Sequence, residues 1–164
     1  MVKIESDKVS LEEAAVALIA TFPLAALRKV NLEIGESMLV MGLGILGQLA
    51  VMLARAAGAY PVIVCDSDHV IAVSSMPKKE ILDCDPVEER RNEAICNGAD
   101  YAFNPLDKDF AEKVRAVSGG GVKTAIEVTG LGAGLNETLD CMAKLGRVAL
   151  LGCTRSSDFS VDYY

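Results

Sequence analysis

The chain has 164 residues, 51% of them hydrophobic and 24% charged, the balance of one globular domain that can bury roughly 68–70% of its unfolded surface. That composition excludes a disordered or low-complexity polymer. The net charge of −7, with acids and bases interspersed, argues against a partner such as a nucleic-acid backbone. A small anionic ligand stays compatible, because backbone amides and a helix terminus can supply the positive field.

Ser10 with Glu13 three residues later is a capping-box signature for a helix from Leu11 to about Thr21. Phe22-Pro23 is expected to interrupt it, with a further helical stretch to about Lys29. Ile34-Gly35-Glu36 is a turn, and Ser37 to Met41 reads as a short buried strand. The most apolar stretch, 38–57, is broken by glycines, Gln48 and Arg55, so it divides into strand, turn and helix (about Ile45 to Ala57) rather than spanning a membrane. Pro61 to Cys65 is a second apolar strand ended by Asp66, and Pro86 to Asn97 is a charged amphipathic helix stopped by Gly98. There follow a strand at 101–103, a helix from Lys108 to Val117, a strand from Thr124 to Val128, a helix from about Gly134 to Leu145, and a strand from Arg147 to Leu151.

Strands alternating with helices in this way predict an α/β fold: a Rossmann-type doubly wound parallel sheet in three αβα layers, with five strands, forming a single domain over 1–164. The cysteines at 65, 84, 96, 141 and 153 include no CxxC pair and His69 is the only histidine, so neither a disulfide framework nor a zinc site is indicated. They read as buried thiols of a reduced, cytoplasmic protein. The first residues, Met1 to Lys8, lack the apolar centre of a signal peptide.

The feature that carries chemistry is Gly42-Leu43-Gly44-Ile45-Leu46-Gly47, between a predicted strand and a predicted helix. Gly42 allows the tight turn, Gly44 lets the backbone approach a pyrophosphate, and Gly47 lets the helix pack closely on the strand. The helix start at Ile45 and Leu46 then offers unpaired N–H groups and the positive end of the helix dipole. The motif requires an acid about 20 residues on to meet the adenosine ribose. Asp66 stands 24 residues after Gly42, at the end of the second strand. A carboxylate there accepts the ribose hydroxyls and repels a 2′-phosphate, which favours NAD over NADP. A glycine turn that merely packs a helix on a sheet is the plainer alternative.

From Glu12 to about Asp162 the chain resembles the coenzyme domain of the zinc-type medium-chain alcohol dehydrogenases, the group of the sorbitol and threonine dehydrogenases. The resemblance is carried by Ala14-Ala15 through Leu27, by Ile34 through Gly47, by Asn97-Gly98-Ala99-Asp100, by Glu127-Val128-Thr129-Gly130, and by Leu145 through Gly152. It implies that Val128 and Gly130 lie near the nicotinamide ribose, and Leu151, Gly152 and Cys153 near the nicotinamide. It also implies hydride transfer between an alcohol or polyol and NAD, with zinc held by a catalytic domain that is absent from these residues. The sixth strand of the family is expected to be missing as well. On this reading the chain is a cofactor domain without turnover of its own, its partners being the dinucleotide and the missing catalytic domain. The exposed edge of the fifth strand is expected to produce a homo-oligomer unless residues 155–164 cover it.

The family places a basic residue shortly after the ribose acid, and the Gly-Ala-Asp step soon after that. Measured from Asp66, Gly98 is 32 residues away; measured from Asp85, Gly98 is 13 away and Arg90 is five away. Residues 67–85 therefore read as an insertion returning to the same Cys-Asp pair, with a hairpin as one shape for it. A surface excursion, an artificially introduced segment and a device altering cofactor binding are all compatible with it, and either Asp66 or Asp85 could be the ribose ligand. Two other functions are compatible with the sequence: a nucleotide-binding sensor without chemistry, and a methyltransferase using S-adenosylmethionine, which also pairs a glycine loop with an acid.

Overall fold

The computed structural model describes residues 8–66, 86–153 and 160–161, with backbone alone at 86 and 87. Ten elements follow in order: α1 (Leu11–Lys29), β1 (Met38–Met41), α2 (Ile45–Ala56), β2 (Val62–Cys65), α3 (Pro86–Cys96), β3 (Tyr101–Phe103), α4 (Phe110–Val117), β4 (Val122–Glu127), α5 (Gly132–Cys141) and β5 (Met142–Leu150). The five strands form one parallel sheet in the order β3-β2-β1-β4-β5. This is the predicted doubly wound arrangement, with its change of direction between β1 and β4. The insertion expected at 67–85, with Asp85, His69 and the hairpin considered for it, lies outside the described residues.

Alternation along the strands builds two cores. Met38 and Val40 of β1 pack with Val62 and Val64 of β2 and Ile126 of β4 under α1, α2 and α3. Leu39 and Met41 face the other way, with Ile63, Cys65 and Ala125 under Phe110 and Val114 of α4 and Cys141 of α5. Every residue of β1 and β2 is buried, which is why both read as unbroken apolar runs rather than alternating ones. Each fully buried Leu, Ile, Val or Met side chain contributes about 1.5–3 kcal/mol, so the central strands anchor the fold.

Two expectations need correction. First, α1 runs unbroken through Phe22-Pro23. The Ser10–Glu13 capping box closes its start reciprocally, at 3.1 and 2.8 Å. Pro23, Ala26 and Leu27 are buried together, and that packing outweighs the local cost of a proline inside the helix. Second, α5 stops at Cys141, four residues before the expected end at Leu145. The segment from Met142 onward joins β5 through a register irregularity: Val122 pairs with Met142, but Thr124 pairs with Arg147. Leu145 sits in this excursion at φ +61° and is fully exposed. An apolar residue in the left-handed region is uncommon, and the helical periodicity of 134–145 gave no sign of it.

The thiols divide more evenly than expected. Cys65 and Cys141 are buried, whereas Cys96 and Cys153 are exposed, Cys96 because it ends α3 and Cys153 because it lies beyond β5. Burial pushes the Cys141 thiol up to about 12, with neighbouring Asp140 adding to it, and raises Cys65 likewise. Neither buried thiol is thereby a nucleophile at neutral pH.

Candidate functional site

Gly42 carries the chain from β1 towards α2 at φ +96°, and its N–H donates to the Cys65 carbonyl at 2.8 Å, tying the turn to the end of β2. A Cβ at Gly42 would lie 2.9 Å from Thr129 Cγ2, and one at Gly47 only 1.9 Å from the Gly42 carbonyl oxygen. Both glycines are thus required by close packing. Gly44 differs: it is the N-cap of α2 in an extended conformation, with no side-chain cap, and nothing lies within 4 Å of where its Cβ would be. The first turn of α2 holds no acidic residue. Its amides and dipole therefore face open space uncompensated, a setting suited to an anion.

These residues border a cleft of about 200 Å³ lined by Gly42, Leu43, Gly44, Ile45, Leu46, Asp66, Arg90, Val128 and Thr129. Of the expected site residues, seven meet here: Gly42, Gly44, Ile45, Leu46, Asp66, Arg90 and Val128. Asp66 is 2% exposed. Its Oδ2 lies 2.9 Å from Arg90 Nε, and its carbonyl accepts from Arg91 Nη1 at 3.2 Å. The acid at the end of β2 is thus paired with the basic residue whose spacing, along the chain, pointed to Asp85. Arg90 Nη2 is buried and has no hydrogen-bond partner among the described residues.

Gln48 fixes this wall from behind. Its Nε2 donates to the Arg90 carbonyl at 2.9 Å, and its Oε1 accepts from Asn97 at 3.1 Å. A buried glutamine on a largely apolar helix was a signal available in the sequence, but its partners lie 42 and 49 residues away. Asp100 of the Gly-Ala-Asp step has a supporting role, accepting from Val62 N at 2.8 Å and pairing with Arg55 at 3.1 Å.

The other expected residues fall outside the cleft lining. Gly47 packs beneath it. Gly130, Gly152 and Cys153 meet one another: a Cβ on Gly130 would lie 2.3 Å from the Cys153 carbonyl oxygen, and one on Gly152 2.2 Å from Gly130 N. Leu151 faces a second, largely apolar groove shared with Phe22, Ala25 and Lys29. Among the described residues, no three His, Cys, Asp or Glu side chains are grouped as a metal ion would require, and no helix is long and apolar enough to cross a membrane.

Sheet order, glycine turn and strand-end acid together define an α/β domain of the Rossmann type. The chain belongs to the zinc-binding dehydrogenase family, whose family model matches residues 46–163. It is 37% identical over 119 residues to an L-threonine 3-dehydrogenase of Pyrococcus furiosus, covering 72% of this chain and 29% of that protein. It is 29% identical over 131 residues to a D-guloside 3-dehydrogenase of Escherichia coli, covering 79% of this chain and 32% of that protein. Among solved structures, a zinc-binding dehydrogenase from Clostridium scindens superposes with a TM-score of 0.74 at 28% identity, over 96% of this chain and 40% of that one. The chain therefore spans about a third of the length of the curated relatives it matches.

Proposed function

We propose that these residues form the NAD-binding part of an oxidoreductase that moves hydride between an alcohol or polyol and the nicotinamide. The observation that carries this reading is the open space at Gly44, where the uncapped start of α2 faces a cleft ending in the buried acid Asp66. The pyrophosphate would take the amides of Ile45 and Leu46, and the adenosine ribose would take Asp66 beside Arg90. Val128, Gly130, Leu151, Gly152 and Cys153 would flank the nicotinamide half at the carboxyl ends of β4 and β5. Bound there, the nicotinamide supplies the hydride acceptor; these residues bind it, orient it and keep it at a fixed place on the sheet. On this proposal these residues bind and place the cofactor, and activation of the alcohol falls to other groups. A reduced, cytoplasmic setting accords with the buried thiols Cys65 and Cys141.

Fluorescence titration of the 164-residue chain tests this directly. NADH is expected to bind with saturation, and S-adenosylmethionine to leave that binding unchanged. Absence of saturable NADH binding by the folded chain, or its displacement by S-adenosylmethionine, would reject the reading.

The proposal extends to self-association. Among the described strands β5 pairs only with β4, and Leu145 and Leu150 on it are 100% and 59% exposed. An unpaired edge with apolar residues favours edge-to-edge pairing with a second copy. Ser160 accepts from Asn136 of α5 at 3.1 Å, a contact with the neighbouring helix rather than with β5. Light scattering should give a dimer or larger particle, and lysine at Leu150 should shift it towards monomer; a monomer at high concentration would exclude this association.

A further inference from the structure

We propose that Glu127 is a positioning residue for the nicotinamide half of the dinucleotide, its buried carboxylate fixing the turn at 128–131 against the glycine loop. The inference rests on the dinucleotide reading of the cleft. Glu127 ends β4 and is only 2% exposed, a costly place for an acid unless donors surround it. They do. Oε1 accepts from Thr129 N at 2.6 Å, from Gly130 N at 3.1 Å and from the Thr129 hydroxyl, and Oε2 lies 3.2 Å from Gly130 N.

The consequences reach the cleft on two sides. Thr129 Oγ1, held by this carboxylate, accepts from Leu131 N at 3.1 Å and so shapes the whole turn. The Thr129 methyl group lies against Gly42, 2.9 Å from the position of a Cβ there, and its hydroxyl against Gly134 at the start of α5, 2.7 Å from a Cβ there. Val128 N donates to the Met41 carbonyl at 2.9 Å. Together these contacts set the wall formed by Val128 and Thr129 opposite the loop 42–46. The Glu127 backbone carbonyl accepts from Leu151 N at 2.8 Å and Gly152 N at 3.0 Å. One residue therefore places the chain after β4 with its side chain and the chain after β5 with its backbone.

In a doubly wound sheet the acid after β2 marks the adenosine side, and the other mononucleotide half lies across the switch point towards β4. Loss of the Glu127 carboxylate should therefore affect the two halves unequally. The test compares the wild-type chain with Glu127→Gln and Glu127→Leu, titrating NADH and AMP separately and following amide hydrogen exchange by NMR. Glu127→Leu is expected to weaken NADH by at least about tenfold, the scale of losing charge-assisted hydrogen bonds, with AMP changed by less than about twofold. Glutamine keeps one carbonyl acceptor and should recover most of the NADH affinity, which also guards against a leucine variant that fails to fold. The Thr129 and Gly130 amides should exchange faster in the leucine variant, while Leu39 and Val64 in the sheet stay protected. Equal losses for AMP and NADH, unchanged NADH affinity in the leucine variant, or a glutamine variant no better than leucine would each overturn the proposal. A wild-type chain that is folded and protected at 129–130 but binds no NADH would instead reject the dinucleotide reading beneath it.

Discussion

Alanine at Gly47 is expected to destabilise the fold by at least about 2 kcal/mol, the range of overpacking a close-fitted interior, whereas alanine at Gly44 is expected to change stability by less than about 0.5 kcal/mol. The difference follows from what each new methyl group would meet. At position 47 it would lie 1.9 Å from the Gly42 carbonyl oxygen and 2.9 Å from its carbon. Those are backbone atoms of the turn between β1 and α2, so neither can swing aside as a side chain would. The gain of about 1 kcal/mol that alanine normally brings to a helix is too small to offset this. At position 44 the methyl group meets nothing within 4 Å, and φ −66° with ψ −175° is open to any residue. It would, however, enter the space that the proposed pyrophosphate would occupy. Gly44→Ala should therefore weaken NADH by at least about tenfold with the fold intact, a loss of about 1.4 kcal/mol. Urea unfolding and NADH titration on both variants give four numbers. Similar stability losses at the two sites would refute the packing distinction, and undiminished NADH affinity in Gly44→Ala would refute the cradle.

The second large effect is expected at the acid. Asp66→Ala should weaken NADH by at least about tenfold, because on the proposed reading the ribose hydroxyls would lose a charged acceptor. It should also reverse the order of NADH and NADPH. Arg90 lies 2.9 Å from the carboxylate, and once that charge is gone its guanidinium is left to meet a 2′-phosphate. The same change should lower stability by roughly 1–3 kcal/mol, less than for a wholly buried pair because Arg90 keeps contact with water; the Arg90 side chain is 22% exposed. Asp85→Ala should change NADH affinity by less than about twofold, since Asp66 already holds the strand-end position in the cleft. Titrations of both nucleotides against both variants decide it. An effect at Asp85 and none at Asp66 would move the ribose to the other acid.

Much of this was legible along the chain because it is local. The glycine loop, the capping box at Ser10 and Glu13, and the apolar runs at 38–41 and 62–65 each depend on residues within a few positions of one another. What escaped is non-local. Pro23 is tolerated inside α1 because Ala26 and Leu27 are buried beside it, a fact about the partner surface rather than the helix. The early end of α5 depends on how Met142 and Arg147 register against β4. In the cleft, spacing along the chain pointed Arg90 towards Asp85, yet Arg90 meets Asp66, 24 residues before it. Spacing measures contour length, and a helix N-terminus placed by Gln48 can meet a strand end from either side of a long excursion. Glu127 was visible as part of a motif, but its work is done on donors that only the folded turn aims at it.

The cleft is assembled from four separated stretches, at 42–46, at 66, at 90 and at 128–129, and none of them holds the others in place once the sheet is lost. A ligand gripped by all four has nothing comparable to grip on the unfolded chain. Occupancy and folding are therefore thermodynamically linked: at a hundredfold excess over its dissociation constant, such a ligand adds about 2.7 kcal/mol to the stability of the native state. For a domain whose whole margin is on the order of 5–15 kcal/mol, the supply of such a ligand becomes a determinant of how much folded protein persists.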